Sequence, residues 1–143
     1  MTNTVTGILE TAIYSDDLPA ARQFYEQVLQ LPLVTFEAER HAFFKVGRSM
    51  LLIFQPQATS TEVVTVGDAQ IPQHGARGAG HFAFRVTREQ LDLMRNRLSA
   101  AGVPIESEIE WPNAARSIYF RDPAGNSVEC ATGDLWFDDE RGQ

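Results

Sequence analysis

The sequence is short of cysteine, of basic residues and of long apolar runs. Its single cysteine, Cys130, has no second cysteine with which to form a disulfide in the chain. No apolar stretch approaches the roughly 20 residues that a membrane-spanning helix needs. Residues 1–7 have neither the basic start nor the apolar run of a signal peptide. A cytoplasmic protein is therefore expected.

The shortage of basic residues also limits the kinds of partner. The chain has 19 Asp and Glu against 12 Lys and Arg, which gives a formal charge of −7. Nucleic acids and anionic membrane surfaces are bound by clustered Lys and Arg, so neither is expected as a partner. A small molecule, neutral or cationic, fits this charge better. With 143 residues, 43% of them hydrophobic, the chain is long enough to form one compact domain.

The first part of the chain predicts a strand, a helix and three more strands. Residues 5–14 have the composition of a strand, and Asp16, Asp17 and Pro19 are typical of a helix start. Apolar residues then follow at i, i+3 and i+4 spacing, up to Pro32, which ends the helix. Strands are predicted at residues 33–38, 41–46 and 50–54. The first βαβββ unit therefore covers about residues 5–56.

The second part of the chain predicts the same series of elements. Residues 57–79 are rich in turn formers and are interpreted as a connection with a short strand at 62–66. A strand follows at 80–86, and Thr87 with Gln90 forms a capping-box pattern that begins a helix, which Gly102 ends. The remaining predicted strands are 105–109, 116–121 and 127–132. The second unit covers about residues 80–132, and an acidic tail, 133–143, follows it.

The two units align with each other. Leu31-Pro32-Leu33 matches Val103-Pro104-Ile105, the segment 44–53 matches 120–129, and Glu10 matches His81. Because an internal repeat indicates the architecture directly, we predict an α+β fold in which two βαβββ modules form a curved mixed sheet. Each helix is expected to cover one face of its sheet, which leaves the other face for a ligand.

Three residues of the aligned units are suited to bind a metal ion. Glu10 and His81 are predicted to lie in the middle of the first strand of each module, and Glu129 in the last strand of the second. Two carboxylates and an imidazole suit a divalent ion such as Mn²⁺, Fe²⁺, Ni²⁺ or Zn²⁺. The position that matches Glu129 in the first module, near Leu51 or Ile53, is apolar. Three protein ligands would leave open positions for water or substrate.

Residues 8–132 resemble the vicinal oxygen chelate superfamily, which includes glyoxalase I, extradiol dioxygenases, fosfomycin-resistance transferases, methylmalonyl-CoA epimerase and bleomycin-binding proteins. The most specific matches are in segments 17–29, 80–84 and 119–126, the last being Tyr-Phe-Arg-Asp-Pro-Ala-Gly-Asn. The resemblance implies a divalent metal held at Glu10, His81 and Glu129, and a substrate that chelates it through adjacent oxygens. It also implies a homodimer in which Glu10 of one chain meets His81 and Glu129 of the other.

The resemblance does not select one activity. The dioxygenases and fosfomycin transferases typically have histidine at the position of Glu10, and glyoxalase I and the epimerase take a fourth ligand from the strand that matches residues 50–54. The basic residue of the fosfomycin enzymes would fall in the acidic segment 134–140, so phosphonate binding is not expected. A metal-dependent lyase or isomerase and an extradiol-type dioxygenase both remain open. The alternative is a metal-free, bleomycin-resistance-like protein that binds a cationic small molecule.

Two residues are candidates for proton chemistry. Tyr119 lies ten residues before Glu129, the spacing at which dioxygenase-like members place a tyrosine beside the bound substrate, where a phenol can donate a hydrogen bond. The alternative is a half-buried strand tyrosine. His74, in a glycine-rich loop, is a candidate acid or base, or else a solvated loop residue.

Two further residues are candidates for substrate binding. Arg116 could orient an anionic group of the substrate, or form a surface ion pair with Glu108 or Glu110. Trp111 could form a wall of the pocket, or pack in the core or an interface. Cys130 is expected to point away from the site and to belong to the core.

Overall fold

The computed structural model describes residues 2–143. Met1, the first residue of the segment 1–7 in which no signal peptide is predicted, lies outside the described residues. The first sheet has the strand order β1-β4-β3-β2. Its strands are β1 (Glu10–Tyr14), β2 (Leu33–Glu37), β3 (His41–Val46) and β4 (Ser49–Phe54). The first strand pairs in parallel with the fourth, and the other pairs are antiparallel.

The second sheet repeats the arrangement of the first. A two-stranded hairpin, β5 (Val64–Val66) and β6 (Ala69–Ile71), precedes it in the chain. The strands of the second sheet are β7 (His81–Val86), β8 (Ser107–Glu110), β9 (Arg116–Arg121) and β10 (Ser127–Thr132), in the order β7-β10-β9-β8. The first strand is again parallel to the last. The predicted α+β class and the repeat of two βαβββ modules are therefore confirmed.

Within residues 2–143, three α-helices lie between strands: α1 (Leu18–Arg22), α2 (Pro56–Thr61) and α3 (Arg88–Ala100). Two short 3₁₀ helices, Gly133–Leu135 and Asp138–Glu140, follow β10. The Asp17 side chain accepts a hydrogen bond from the backbone N–H of Ala20 and so caps α1, which continues as a π-helical segment, Gln23–Val28. The capping box predicted for Thr87 and Gln90 is present at the start of α3. Across residues 2–143, none of the helices is both long and apolar enough to cross a bilayer.

The helical segment that follows α1 packs against both modules. The ring of Phe24 lies 6.1 Å from that of Phe120 in β9, and the ring of Tyr25 lies 5.8 Å from Phe44 in β3 and 6.5 Å from Phe82 in β7. These residues belong to one core, which contains the helix-facing side chains of both sheets and the predicted core residue Cys130. The two modules therefore form a single packed unit, and the opposite face of the second sheet is open to a ligand.

The structure differs from the sequence prediction in two elements. Strand β1 begins at Glu10 and not near residue 5, because β4 begins at Ser49 and its pairing with β1 ends at Met50 opposite Glu10. Glu10 is therefore at the start of its strand and not in the middle. The connection is more ordered than predicted, since it contains α2 and a hairpin whose turn is formed by Gly67 at φ 59°. The single strand predicted at 62–66 is one half of that hairpin.

Candidate metal-binding pocket

The open face of the second sheet forms the floor of a cavity of about 820 Å³. Side chains alternate between the two faces of a strand, so His81, Glu129 and Tyr119 share this face while Phe82, Val128 and Phe120 face the core. The walls are formed by residues around the sheet and by the C-terminal segment. They include Trp111, Pro112, Leu135, Trp136 and Phe137. The cavity is thus mostly apolar, with a few polar groups at its floor.

His81 and Glu129 form the polar centre of this floor. His81 Nε2 lies 3.4 Å from Glu129 Oε1. His81 Nδ1 lies 3.0 Å from the backbone carbonyl oxygen of Ser127. A carbonyl oxygen can only accept, so Nδ1 carries the proton, and in the neutral imidazole Nε2 presents a lone pair. Two lone-pair atoms therefore face each other, which requires a proton or a cation between them.

The pair fits two ligands of a divalent metal ion. Ligand bonds of about 2.1 Å that meet at a tetrahedral angle place the two ligand atoms about 3.4 Å apart, which is the observed distance from Nε2 to Oε1. The hydrogen bond from Nδ1 to a backbone carbonyl is the arrangement that commonly orients metal-binding histidines. Glu129 is 5% exposed and His81 is half exposed, so the carboxylate is fixed while the imidazole faces the cavity.

A relay of hydrogen bonds orients the carboxylate of Glu129. The Ser117 hydroxyl donates to Glu129 Oε2 at 2.6 Å, and Trp111 Nε1 donates to Ser117 Oγ at 2.9 Å. With Oε2 engaged in this way, Oε1 is directed toward His81. The sequence reasoning did not identify Ser117, although its position two residues before Tyr119 in a strand places both on the cavity face.

Replacing Ser117 with alanine is expected to weaken divalent metal binding about 10–100-fold, the usual effect of removing an outer-shell partner of a ligand. The fold should persist, because alanine fits the space of serine. Ser107→Ala on β8, where the side chain is exposed, is the matched control and should leave metal affinity unchanged. Titration with a competing chelator measures both variants; equal affinity for Ser117→Ala and wild type would contradict a role in orienting Glu129.

The third predicted ligand, Glu10, is not brought to this pair within one chain. No group of three or more His, Cys, Asp or Glu residues able to hold a metal occurs in residues 2–143. Glu10 is exposed at the start of β1, an edge strand of the first sheet. Ile8, two residues earlier, lines the cavity. A single chain therefore supplies two of the three predicted ligands.

The register of the sheets corrects the residue that matches Glu129 in the first module. From the cross-strand pairing, Glu129 corresponds to Leu52, which lies between the predicted positions Leu51 and Ile53. The sequence alignment missed this because five residues separate the paired positions Arg121 and Ser127, whereas four separate the equivalent pair, Lys45 and Met50. The prediction that this position is apolar is confirmed, since Leu52 is a buried aliphatic residue.

Tyr119 lies beside the candidate ligands. It pairs with Glu129 across the two strands, and its ring lies nearly parallel to that of His81, with 6.2 Å between centroids. Partial burial and the carboxylate of Glu129 raise the pKa of Tyr119 above its ordinary value. The phenol therefore stays protonated at neutral pH, where it is able to donate a hydrogen bond into the cavity.

The structure places the other predicted site residues in three different regions. Trp111 lines the cavity. His74 lies against the first sheet, where Nδ1 is 2.7 Å from the Tyr14 hydroxyl and the ring packs edge-on against Phe54. Arg116 lies on the helix-facing side of the second sheet, 4.0 Å from Asp92 of α3. Within one chain, the structure therefore brings Tyr119 and Trp111 to the candidate ligands, but neither His74 nor Arg116.

The C-terminal segment is folded against the mouth of the cavity. Arg88 pairs with the buried Asp134 at 2.9 Å, and Arg85 pairs with Glu140 at 3.2 Å. The Arg85 guanidinium also lies over the ring of Phe137, 5.1 Å from its centroid. Asp134 and Glu140, both in the predicted acidic tail, thus form ion pairs that fix the C-terminal segment beside the cavity. Trp136 in this segment is 82% exposed.

Comparison with known proteins places the chain among related sequences and folds. The family model described as the Glyoxalase/Bleomycin resistance protein/Dioxygenase superfamily matches residues 7–130. The chain is 31% identical over 137 residues to the metallothiol transferase FosB of Shouchella clausii, covering 92% of this chain and 83% of FosB.

Two solved structures have the same fold as this chain. The crystal structure of lactoylglutathione lyase from Agrobacterium tumefaciens is 44% identical, with a TM-score of 0.86, over 94% of this chain and 98% of the lyase. The fosfomycin resistance protein FosX from Listeria monocytogenes shares the fold, at 21% identity and a TM-score of 0.67, over 96% of this chain and 99% of FosX.

Proposed function

Because the chain belongs to the Glyoxalase/Bleomycin resistance protein/Dioxygenase superfamily, we propose that it is a divalent-metal-dependent lyase or isomerase. Its substrate would be a small molecule that chelates the metal through adjacent oxygens. The observation that carries the proposal is the pair of lone-pair atoms, His81 Nε2 and Glu129 Oε1, held 3.4 Å apart at the floor of an apolar cavity. A divalent ion satisfies both atoms and the spacing between them.

The third ligand in this proposal is Glu10 of a second copy of the chain. Glu10 is exposed on an edge strand, and the segment before it exposes three apolar side chains, Val5, Ile8 and Leu9, which are 65%, 77% and 74% exposed. Neighbouring exposed apolar residues of this kind are typical of a surface that is covered in an assembly. A homodimer would cover this segment and bring the second carboxylate to the ion, so that two negative charges balance it.

The metal would supply Lewis-acid chemistry by polarising a substrate oxygen. The residues of this chain then have separate roles. Tyr119, a neutral phenol, would donate a hydrogen bond to the oxygen on which negative charge develops. Trp111 and Phe137 would exclude water from the apolar end of the substrate. Two carboxylates with one histidine differ from the two-histidine set that supports oxygen chemistry at iron, so we favour proton transfer over ring cleavage.

His74 has a limited place in this proposal. Glu10 and Tyr14 share one face of β1 and lie about 13 Å apart along the strand. Because His74 is hydrogen bonded to Tyr14, a second copy that delivers Glu10 would place its His74 toward the far end of the substrate. His74 is therefore proposed as an acid or base for that end alone. Arg116 is left out, because it lies on the other face of its sheet.

The names of two relatives narrow the substrate class. One relative is a lactoylglutathione lyase at 44% identity and the other is a metallothiol transferase at 31% identity. Both names refer to thiol compounds, so we propose the thiol adduct of a 2-oxoaldehyde as the substrate. Transfer of a thiol to an electrophile is the second candidate, and it rests on the similarity to FosB.

The deciding experiment is elemental analysis of protein purified without a metal-affinity tag, before and after chelator treatment. We expect about one divalent ion per chain, as in a symmetric dimer with two equal sites, and turnover of 2-oxoaldehyde–thiol adducts that chelation abolishes. Oxygen uptake with catechols in an iron-loaded protein would redirect the assignment to a dioxygenase. Absence of metal uptake would overturn the proposal in favour of a metal-free binding protein, to be screened with cationic ligands.

A further inference from the structure

The turn between β9 and β10, residues 122–126, contains two buried polar side chains. Asp122 Oδ1 accepts hydrogen bonds from the backbone N–H groups of Ala124 and Asn126, at 3.0 and 2.9 Å, which close the turn. Asp122 Oδ2 accepts from the Tyr25 hydroxyl at 2.8 Å and from Asn126 Nδ2 at 3.0 Å. The carboxylate thus accepts four hydrogen bonds, as many as its lone pairs allow.

The side chain of Asn126 joins the turn to both modules. Besides its bond to Asp122, Nδ2 donates to the backbone carbonyl of Tyr14 in β1 at 3.1 Å. Its Oδ1 accepts from the backbone N–H of Gly80 at 2.8 Å. Asn126 is 2% exposed, so its amide has these protein partners in place of water. A Cβ atom at residue 80 would lie 3.3 Å from Oδ1, which favours glycine there.

The residue after Gly80 is the candidate metal ligand His81. Ser127, which follows Asn126, donates its backbone N–H to the carbonyl of Gly80 at 2.9 Å and accepts from His81 Nδ1 at 3.0 Å. Both the backbone that leads into His81 and the imidazole ring are therefore held by residues 126 and 127. The Asn126 side chain is therefore one hydrogen bond and one peptide unit away from the backbone of His81.

Tyr25 connects this group of hydrogen bonds to the first module. It is fully buried, and burial together with the charge of Asp122 raises the pKa of its phenol well above the ordinary value. The phenol therefore remains a neutral donor. It lies in the helical segment that packs on both sheets, so it holds the turn from the helix side while Asn126 holds it from β1.

We propose that Asn126 is a positioning residue that holds the backbone at Gly80 and Ser127, and thereby keeps His81 Nδ1 on the Ser127 carbonyl and Nε2 directed at the metal position, while the Tyr25–Asp122 hydrogen bond contributes to the packing of the modules. The effect on metal affinity rests on the proposed function, but the effect on the His81 ring does not. Side chains that orient a metal-binding histidine typically change metal affinity 10–100-fold when removed.

The test compares Asn126→Ala with Tyr25→Phe, which removes one hydroxyl from the same network and leaves residues 80 and 127 untouched. Both variants should lose thermal stability, because each removes one of the two hydrogen bonds that the buried Asp122 Oδ2 accepts. Only Asn126→Ala should weaken binding of Zn²⁺ or Mn²⁺, about 10–100-fold. If the loss of metal affinity followed the loss of stability equally in the two variants, Asn126 would be merely structural.

A second measurement is independent of metal binding. Nitrogen NMR of the metal-free protein, at a pH where imidazole is neutral, should show the proton of His81 on Nδ1 in wild type and in Tyr25→Phe. In Asn126→Ala we expect a mixture of tautomers at His81, while His41, remote in the first sheet, is unchanged. An unchanged His81 tautomer in Asn126→Ala would overturn the inference, even if the protein binds metal. A changed tautomer in a protein that binds no metal would support the inference, although the proposed function would then be wrong. If Asn126→Ala does not fold, Gly80→Ala replaces it, since the added Cβ presses on Asn126 Oδ1.

Discussion

Glu129→Gln is expected to lower the affinity for divalent metal by at least about 100-fold, which exceeds the usual effect of removing an outer-shell partner. Glutamine keeps the shape of the side chain, and its carbonyl oxygen still accepts the hydrogen bond of Ser117. Its amide nitrogen, however, has no lone pair for a cation and would donate to His81 Nε2 instead. The variant therefore removes the ligand while the packing of β10 is conserved.

The same change should leave the metal-free protein at least as stable as wild type. In wild type without metal, the buried carboxylate of Glu129 faces the lone pair of His81, whereas the amide would form a hydrogen bond there. Glu110→Gln, at an exposed position on β8, is the matched control and should bind metal as wild type does. Elemental analysis and thermal unfolding measure both properties; equal metal content in Glu129→Gln and wild type would disprove the site.

Much of the fold could be predicted because the repeat appears in the sequence itself. The strand pattern around residues 41–54 and 116–132 and the helix starts at Asp17 and Thr87 follow local rules that do not depend on tertiary contacts. The helix α2 and the second strand of the hairpin were missed, since short elements depend on capping and turn contacts. One such contact is the hydrogen bond that the backbone N–H of Ala58 donates to Gln55 Oε1 at the start of α2.

The candidate site was predictable only in part, for three physical reasons. Alternation, together with the parallel pairing of β7 and β10 that the repeat implies, places His81 and Glu129 on one face of neighbouring strands. The partners that orient them, Ser117 and Asn126, depend on strand register and on the closed turn at 122–126. Arg116 lies three residues before Tyr119, so alternation along β9 puts the two side chains on opposite faces, which the prediction of a substrate-binding Arg116 did not take into account. Glu10 would join the other two ligands only in the proposed dimer, and the sequence of one chain does not show how two copies pair.

Mixing two variants that bind metal poorly is expected to restore metal binding if each metal site forms between two chains. Glu10→Gln and Glu129→Gln should each bind metal poorly as pure proteins. In a mixed dimer, one site receives both mutations and the other receives none, because each proposed site combines Glu10 of one copy with His81 and Glu129 of the other. With equal amounts and random exchange, half of the dimers are mixed, and about a quarter of all sites should recover wild-type affinity.

The control for this experiment mixes His81→Gln with Glu129→Gln. In the proposed site, His81 and Glu129 both come from the same copy of the chain. Every proposed site in that mixture keeps at least one mutation, so no tight site should form. Recovery in the first mixture alone would show that Glu10 acts across a dimer. No recovery, with mixed dimers confirmed by mass spectrometry, would place all ligands in one chain, whereas wild-type affinity in pure Glu10→Gln would remove Glu10 from the ligand set. The pure variant therefore tests whether Glu10 is the third ligand, and the mixtures test which chain supplies it.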